Sequence, residues 1–181
     1  MKRPPDNRLR HMVVSAAMMA LALALPPVFH LVGLGGKFLP MLLPLLLNGF
    51  LTPVRWALLL GAATPWISAV ATGMPPLYPP VAALMSVEGA ILGGTAAAIY
   101  RRSRGNLWVA LVAAIVLGRG TAAFLSWFAA GWFHLPPILT GAAVIVQGVP
   151  GTLLQLALVP LVVRSLGSRK GVLFDEPDSQ A

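Results

Sequence analysis

Glu88 and Arg119 are the residues of this chain best placed to do chemistry, because each stands inside a long apolar run. The other four acidic residues, Asp6, Asp175, Glu176 and Asp178, belong to polar tails. A charge near the centre of a bilayer costs on the order of 2.5–3.5 kcal/mol even on insertion scales, so such residues are kept for pairing or for function. An arginine there offers a planar, two-pronged donor to a carboxylate or carbonyl. A neighbouring glutamate can orient that arginine or bind a solute itself. Gln147 and Gln155 add amide groups, while Trp66, Tyr78, Trp127, Trp132 and Phe133 offer rings that can stack on a flat heterocycle or wall a pocket. Trp and Tyr also populate membrane interfaces for their own sake, so a belt role competes with ligand contact at each of these positions.

Membrane helices must position these residues. The chain is 57% hydrophobic and 10% charged, with a mean hydropathy of +0.82, which no ordinary soluble domain matches. The net charge of +8 does not point to nucleic acid, because the basic residues flank apolar runs instead of interleaving with aromatics on a polar face. The absence of cysteine removes disulfides and thiolate metal sites. Runs of membrane-spanning length predict an all-α, polytopic membrane protein, a bundle of six transmembrane helices. The spans are Met12 to Leu31, Phe38 to Leu51, Val54 to Thr72, Val81 to Tyr100, Leu107 to Ala130 and Thr140 to Leu166. Residues 1–11 form a basic tail, 12–166 the membrane domain and 167–181 a polar tail. The second span is short, rising about 21 Å, and Pro40 and Pro44 are expected to kink it, which leaves it tilted, broken or partly re-entrant. The basic head and apolar middle of the N-terminus have the form of a signal peptide, read here as a retained first span.

Basic residues set the orientation. Lys2, Arg3, Arg8 and Arg10, then Arg55, then Arg101, Arg102 and Arg104, then Arg164, Arg169 and Lys170 all fall on one side of a six-span chain. Both termini are therefore expected to be cytoplasmic. Three segments rich in Gly, Pro and aromatics face outward: residues 30–37, TGMPPLYPP at 72–80, and GWFHLPP at 131–137. A count of depth from the turn between spans four and five then relates the charges. Glu88 lies 12 residues before Tyr100 and Arg119 lies 12 after Leu107, which places both about 18 Å from that surface. Gln147 reaches a similar level from outside, with Gln155 two turns deeper. Either a structural ion pair or a solute site satisfies this arrangement.

No phosphate-binding loop and no grouping of His or carboxylates at helical spacing appears inside a span, so neither a catalytic set nor a metal site is expected; His11, His30 and His134 are scattered. Ala16, Ala20 and Ala24 share one face of the first span, a spacing that lets another helix approach closely. Internal packing or lipid exposure explains it equally well. In TGMPPLYPP, four prolines end one helix and hold an extended or turn conformation, and Tyr78 is the residue expected to touch a solute from there.

The six spans, the alanine face, the block GGKFLPMLLPLLLNGFLTPVRWALLLGAATPWISAVATGMPP and the closing QGVPGTLLQLALVPLVV together resemble the substrate-binding S component of energy-coupling factor (ECF) vitamin transporters. The resemblance implies a six-helix bundle of the bacterial or archaeal plasma membrane that captures a vitamin or related micronutrient from outside and uses no cofactor. It implies docking on a transmembrane coupling protein energised by two cytoplasmic ATPases. In the family an alanine face on the first helix makes that contact, which assigns Ala16 and Ala20 here, with Ala24 extending the stripe. The family's site lies in the outer loops and the outer halves of helices four to six. Within that region, depth and chemistry single out Tyr78, Glu88, Arg119, Trp127 and Gln147. The rival readings are a structural or assembly membrane protein, with Glu88 and Arg119 as a staple, and a small enzyme acting on lipid.

Overall fold

The computed structural model describes residues 7–31, 33, 35–78, 80–133 and 141–167. His134, most of the segment 131–137 and the polar tail beyond Gly167 lie outside the described residues. Among the described residues the protein is helical throughout, with eight helices: α1 (Asn7–Leu31), α2 (Gly35–Phe38), α3 (Leu42–Leu51), α4 (Val54–Thr72), α5 (Val81–Arg102), α6 (Leu107–Phe133), α7 (Ala142–Gln147) and α8 (Val149–Gly167).

Five of these, α1, α4, α5, α6 and α8, are long and apolar enough to cross a membrane. Five of the six expected spans therefore contain a helix of membrane-spanning length. The second expected span divides into α2 and α3. The break falls at Leu39, whose φ of 48° is left-handed, and at Pro40, which has no N–H to continue a helix. Pro44 does not kink α3. It sits in the first turn, where backbone N–H groups have no intrahelical acceptor to lose. At ten residues α3 measures about 15 Å, half of the roughly 30 Å hydrocarbon core. The last expected span is also divided. Gly148 separates α7 from α8, donating to the carbonyls of Val144 and Ile145 at 3.2 and 3.1 Å while its own carbonyl accepts from Thr152 N–H at 2.9 Å.

The hydrophobic core is built around α3. Every residue of α3 except Leu43 is buried, as a helix apolar on all sides requires. Leu42, Leu45, Leu46 and Phe50 pack with Leu92 of α5, Leu111 of α6 and Val159 of α8. Glycines let the backbones approach. A methyl group on Gly61 of α4 would collide with the main chain of Gly89 and Ala90 in α5, and one on Gly49 of α3 with the carbonyl of Gly93. Because Leu45 meets Gly89 while Gly49 meets Gly93, α3 runs parallel to α5. Gly35 packs against the ring of His30 near the end of α1, and Phe50 meets Tyr100 edge-on at 5.2 Å. Together α2 and α3 thus run from the His30 end of α1 to the Tyr100 end of α5. Ser15 of α1 ties to the same helix by donating to Asn48 Oδ1 at 3.2 Å.

The turn from α4 to α5 is tightly made. Gly73, at φ 75°, ends α4 in the left-handed conformation that glycine adopts without strain. Ser68 Oγ then donates to the carbonyl of Met74 at 2.6 Å, and Met74 N–H donates to Thr72 Oγ1 at 3.3 Å. On the far side Ala82 N–H donates to the carbonyl of Pro76 at 3.2 Å. Residues 74–76 are therefore fastened at both ends.

Candidate functional site

A cavity of about 370 Å³ opens at the end of the bundle shared by the last turns of α1, by α2, by residues 74–76, by the first half of α5, by the second half of α6 and by α7. That volume lies within the range of small-molecule sites, about 300–1,000 Å³. Helical periodicity builds its walls. Val81, Leu84, Met85 and Glu88 recur at i, i+3, i+4 and i+7 along α5; Arg119, Ala122 and Ser126 do so along α6; Pro26 and His30 stand one turn apart on α1. Exposed His30 and Met74 sit at the mouth, and buried Pro26, Met41, Ala122 and Ser126 lie farther in.

Glu88 and Arg119 meet in this wall. Glu88 Oε1 and Arg119 Nη2 form an ion pair, and the residues are 5% and 8% exposed. The equal depths counted from the α5–α6 turn account for the encounter, since the helices are antiparallel neighbours. The second guanidinium nitrogen, Arg119 Nη1, is buried without a hydrogen-bond partner. Space for it comes from Gly148. A Cβ there would lie 2.6 Å from Nη1 and 2.9 Å from Leu39 Cδ1, so the break between α7 and α8 falls where the arginine needs a missing side chain. Gln147, just before that break, also lines the cavity. Ser126 has a structural task as well: its Oγ accepts from Gly141 N–H at 3.1 Å and donates to Ala123 O at 3.1 Å, which fixes the approach to α7.

Of the five residues expected at the site, Glu88, Arg119 and Gln147 are brought together, whereas Tyr78 and Trp127 are not among the lining residues. Tyr78 is 75% exposed and Trp127 66% exposed. The anchoring of Met74 and Pro76 turns Met74, Pro75 and Pro76 toward the cavity. Trp66 and Trp132 are likewise on the outer surface, where interfacial aromatics gather. Gln155 is buried outside the lining. His30, Ser126 and the methionines at 41, 74 and 85 line the cavity without having been singled out. For Ser126 and Met85 the signal was available: each lies on the helical face that leads outward from Arg119 or Glu88. Nothing in residue type pointed to Met41 or Met74.

Ala16, Ala20 and Ala24 are exposed on the outside of the bundle, on the face of α1 away from buried His11, Ser15 and Ala22. Among the described residues no three His, Asp or Glu side chains gather in a way that could hold a metal ion.

Residues 10–163 match the family described as ECF transporter, substrate-specific component. Neither a curated relative nor a solved structure matches the chain. The family match runs from the second turn of α1 into the last turns of α8 and includes every residue that lines the cavity. With five helices apolar enough to cross a membrane and a cavity among them, this chain belongs to the substrate-specific components of ECF transporters, which are transporter subunits and not enzymes.

Proposed function

We propose that this protein captures a vitamin or related micronutrient in the cavity from the outer side of a bacterial or archaeal plasma membrane. It then hands the solute inward by docking on a transmembrane coupling protein driven by two cytoplasmic ATPases. The observation that carries the reading is Arg119 Nη1, a buried donor without a hydrogen-bond partner on a residue that lines the cavity. Leaving a buried polar group unsatisfied costs about 1–3 kcal/mol, more for a charged one, and a solute acceptor would remove that cost. Glu88 holds the guanidinium, Gln147 offers an amide beside it, and residues 74–76 close the mouth. The α2–α3 segment supports a six-pass reading, since it runs the same way as α5 between the two ends of the bundle. The basic residues then put both termini in the cytoplasm.

Calorimetry on protein purified in detergent, across the B vitamins and their precursors, together with mass spectrometry of whatever copurifies, tests this directly. Stoichiometric heat from one compound, or a stoichiometric copurified solute, is expected. Absence of both sinks the reading.

The ion pair favours a second reading, in which Glu88 and Arg119 only staple α5 to α6 in a structural or assembly protein. The two readings differ in what Arg119→Ala removes: solute affinity in a folded protein, or the fold itself.

A further inference from the structure

If the cavity captures a solute, its wall restricts the chemistry of that solute as well as its size. Among the described residues that line it, the carboxylate of Glu88 and the guanidinium of Arg119 are already paired with each other, so these two charges cancel. An anionic solute would bring uncompensated charge next to Glu88 in a poorly hydrated space, and a cation would do so next to Arg119. Burying an unpaired charge is heavily penalised. A neutral carbonyl, in contrast, can accept a charge-assisted hydrogen bond from the Arg119 guanidinium while leaving the pair intact. The amide of Gln147 adds a donor and an acceptor at the same wall.

Most of the remaining lining is aliphatic, His30 at the mouth and Ser126 being the exceptions. Among the described residues that line the cavity there is no Phe, Tyr or Trp; four prolines, at 26, 40, 75 and 76, and three methionines, at 41, 74 and 85, make up much of the wall. Such walls offer no parallel aromatic faces between which a flat ring can be clamped. The unbranched, polarisable methionines adapt to an irregular body.

We propose, resting on the capture of a solute in this cavity, that the solute is uncharged and largely aliphatic, and that it presents an amide, lactam or ureide carbonyl to Arg119. Flat aromatic, carboxylate and zwitterionic solutes are disfavoured by the same wall.

Four probes separate these classes in the full chain in detergent: cyclohexanecarboxamide, cyclohexanecarboxylate, benzamide and the zwitterion leucine, each at equal millimolar concentration. The largest upward shift of the thermal midpoint is expected from cyclohexanecarboxamide. That shift should be lost in Arg119→Met and also in Gly148→Ala, which keeps both charged residues and crowds Nη1. An equal or larger shift from the carboxylate, benzamide or leucine overturns the inference and leaves the cavity standing as a solute site; benzamide in particular tests whether the methionines prefer a ring edge. Retention of the shift in both variants also overturns it. Should none of the probes shift the midpoint, a copurifying solute decides by its structure: a neutral aliphatic carbonyl compound sustains the inference, and any other overturns it. No shift from any probe and no copurifying solute overturns both the inference and the capture reading.

Discussion

Replacing Glu88 by Gln leaves Arg119 as an unpaired cation at 8% exposure, and loss of one member of a buried pair destabilises by about 3–5 kcal/mol. The double replacement Glu88→Leu with Arg119→Met removes both charges. It is expected to recover most of that loss, read as the midpoint of thermal unfolding in detergent, while solute binding stays at least about tenfold weaker, or 1.4 kcal/mol. Recovery of binding along with stability would reduce the pair to a staple. These two residues were legible because a charge has few reasons to lie deep in an apolar run, and a count of helical rise from a shared turn gives its depth. Gln147 was legible the same way. Tyr78 and Trp127 lie off the cavity lining, which the sequence does not foretell because an aromatic ring has two uses at a membrane surface and depth does not tell them apart. What decides is the fastening of Met74 by the hydroxyls of Ser68 and Thr72 and of Pro76 by the N–H of Ala82.

At the level of elements, the glycines between α3, α4 and α5 set the framework against which the site is built. Gly61→Ala puts a methyl group into the main chain of Gly89 and Ala90, one residue from Glu88. Overpacking of this kind costs about 1–3 kcal/mol, and backbone cannot turn aside as a side chain can. The variant should unfold at lower temperature, and its solute affinity should fall because the α5 wall is displaced. Unchanged stability would show that α4 slides freely on α5. The long helices were plain from apolar length alone. The breaks at Leu39–Pro40 and at Gly148 were not, because a proline marks an interruption only when its helical position is known: Pro40 breaks, whereas Pro44, four residues later, falls in a first turn and is tolerated. Gly148 leaves the room that Arg119 takes, and a local signal accompanies it, because Pro150 two residues on has no N–H to continue the helical bonding.

For the whole molecule, the exposed stripe of Ala16, Ala20 and Ala24 lies on a different face of α1 from Pro26 in the cavity wall, so docking and capture should separate. Ala16→Trp or Ala20→Trp is expected to abolish copurification with the coupling protein while solute binding by the isolated chain is unchanged; loss of both would exclude a purely external role for that face. The bundle's fold class and its family were readable from composition, spacing and the quoted blocks. The half-length α3 at its centre was not, since ten residues apolar except for Asn48 read much the same in a core as in a bilayer. Finally, the cancelling charges of Glu88 and Arg119 bear on voltage. Moving one elementary charge through a membrane potential involves about 2.3 kcal/mol per 100 mV, and a neutral pair holding a neutral solute moves none. If the loaded site carries an uncharged solute between the two faces, the pair and the solute move no net charge, and uptake into proteoliposomes with the complete transporter should be indifferent to an imposed potassium diffusion potential.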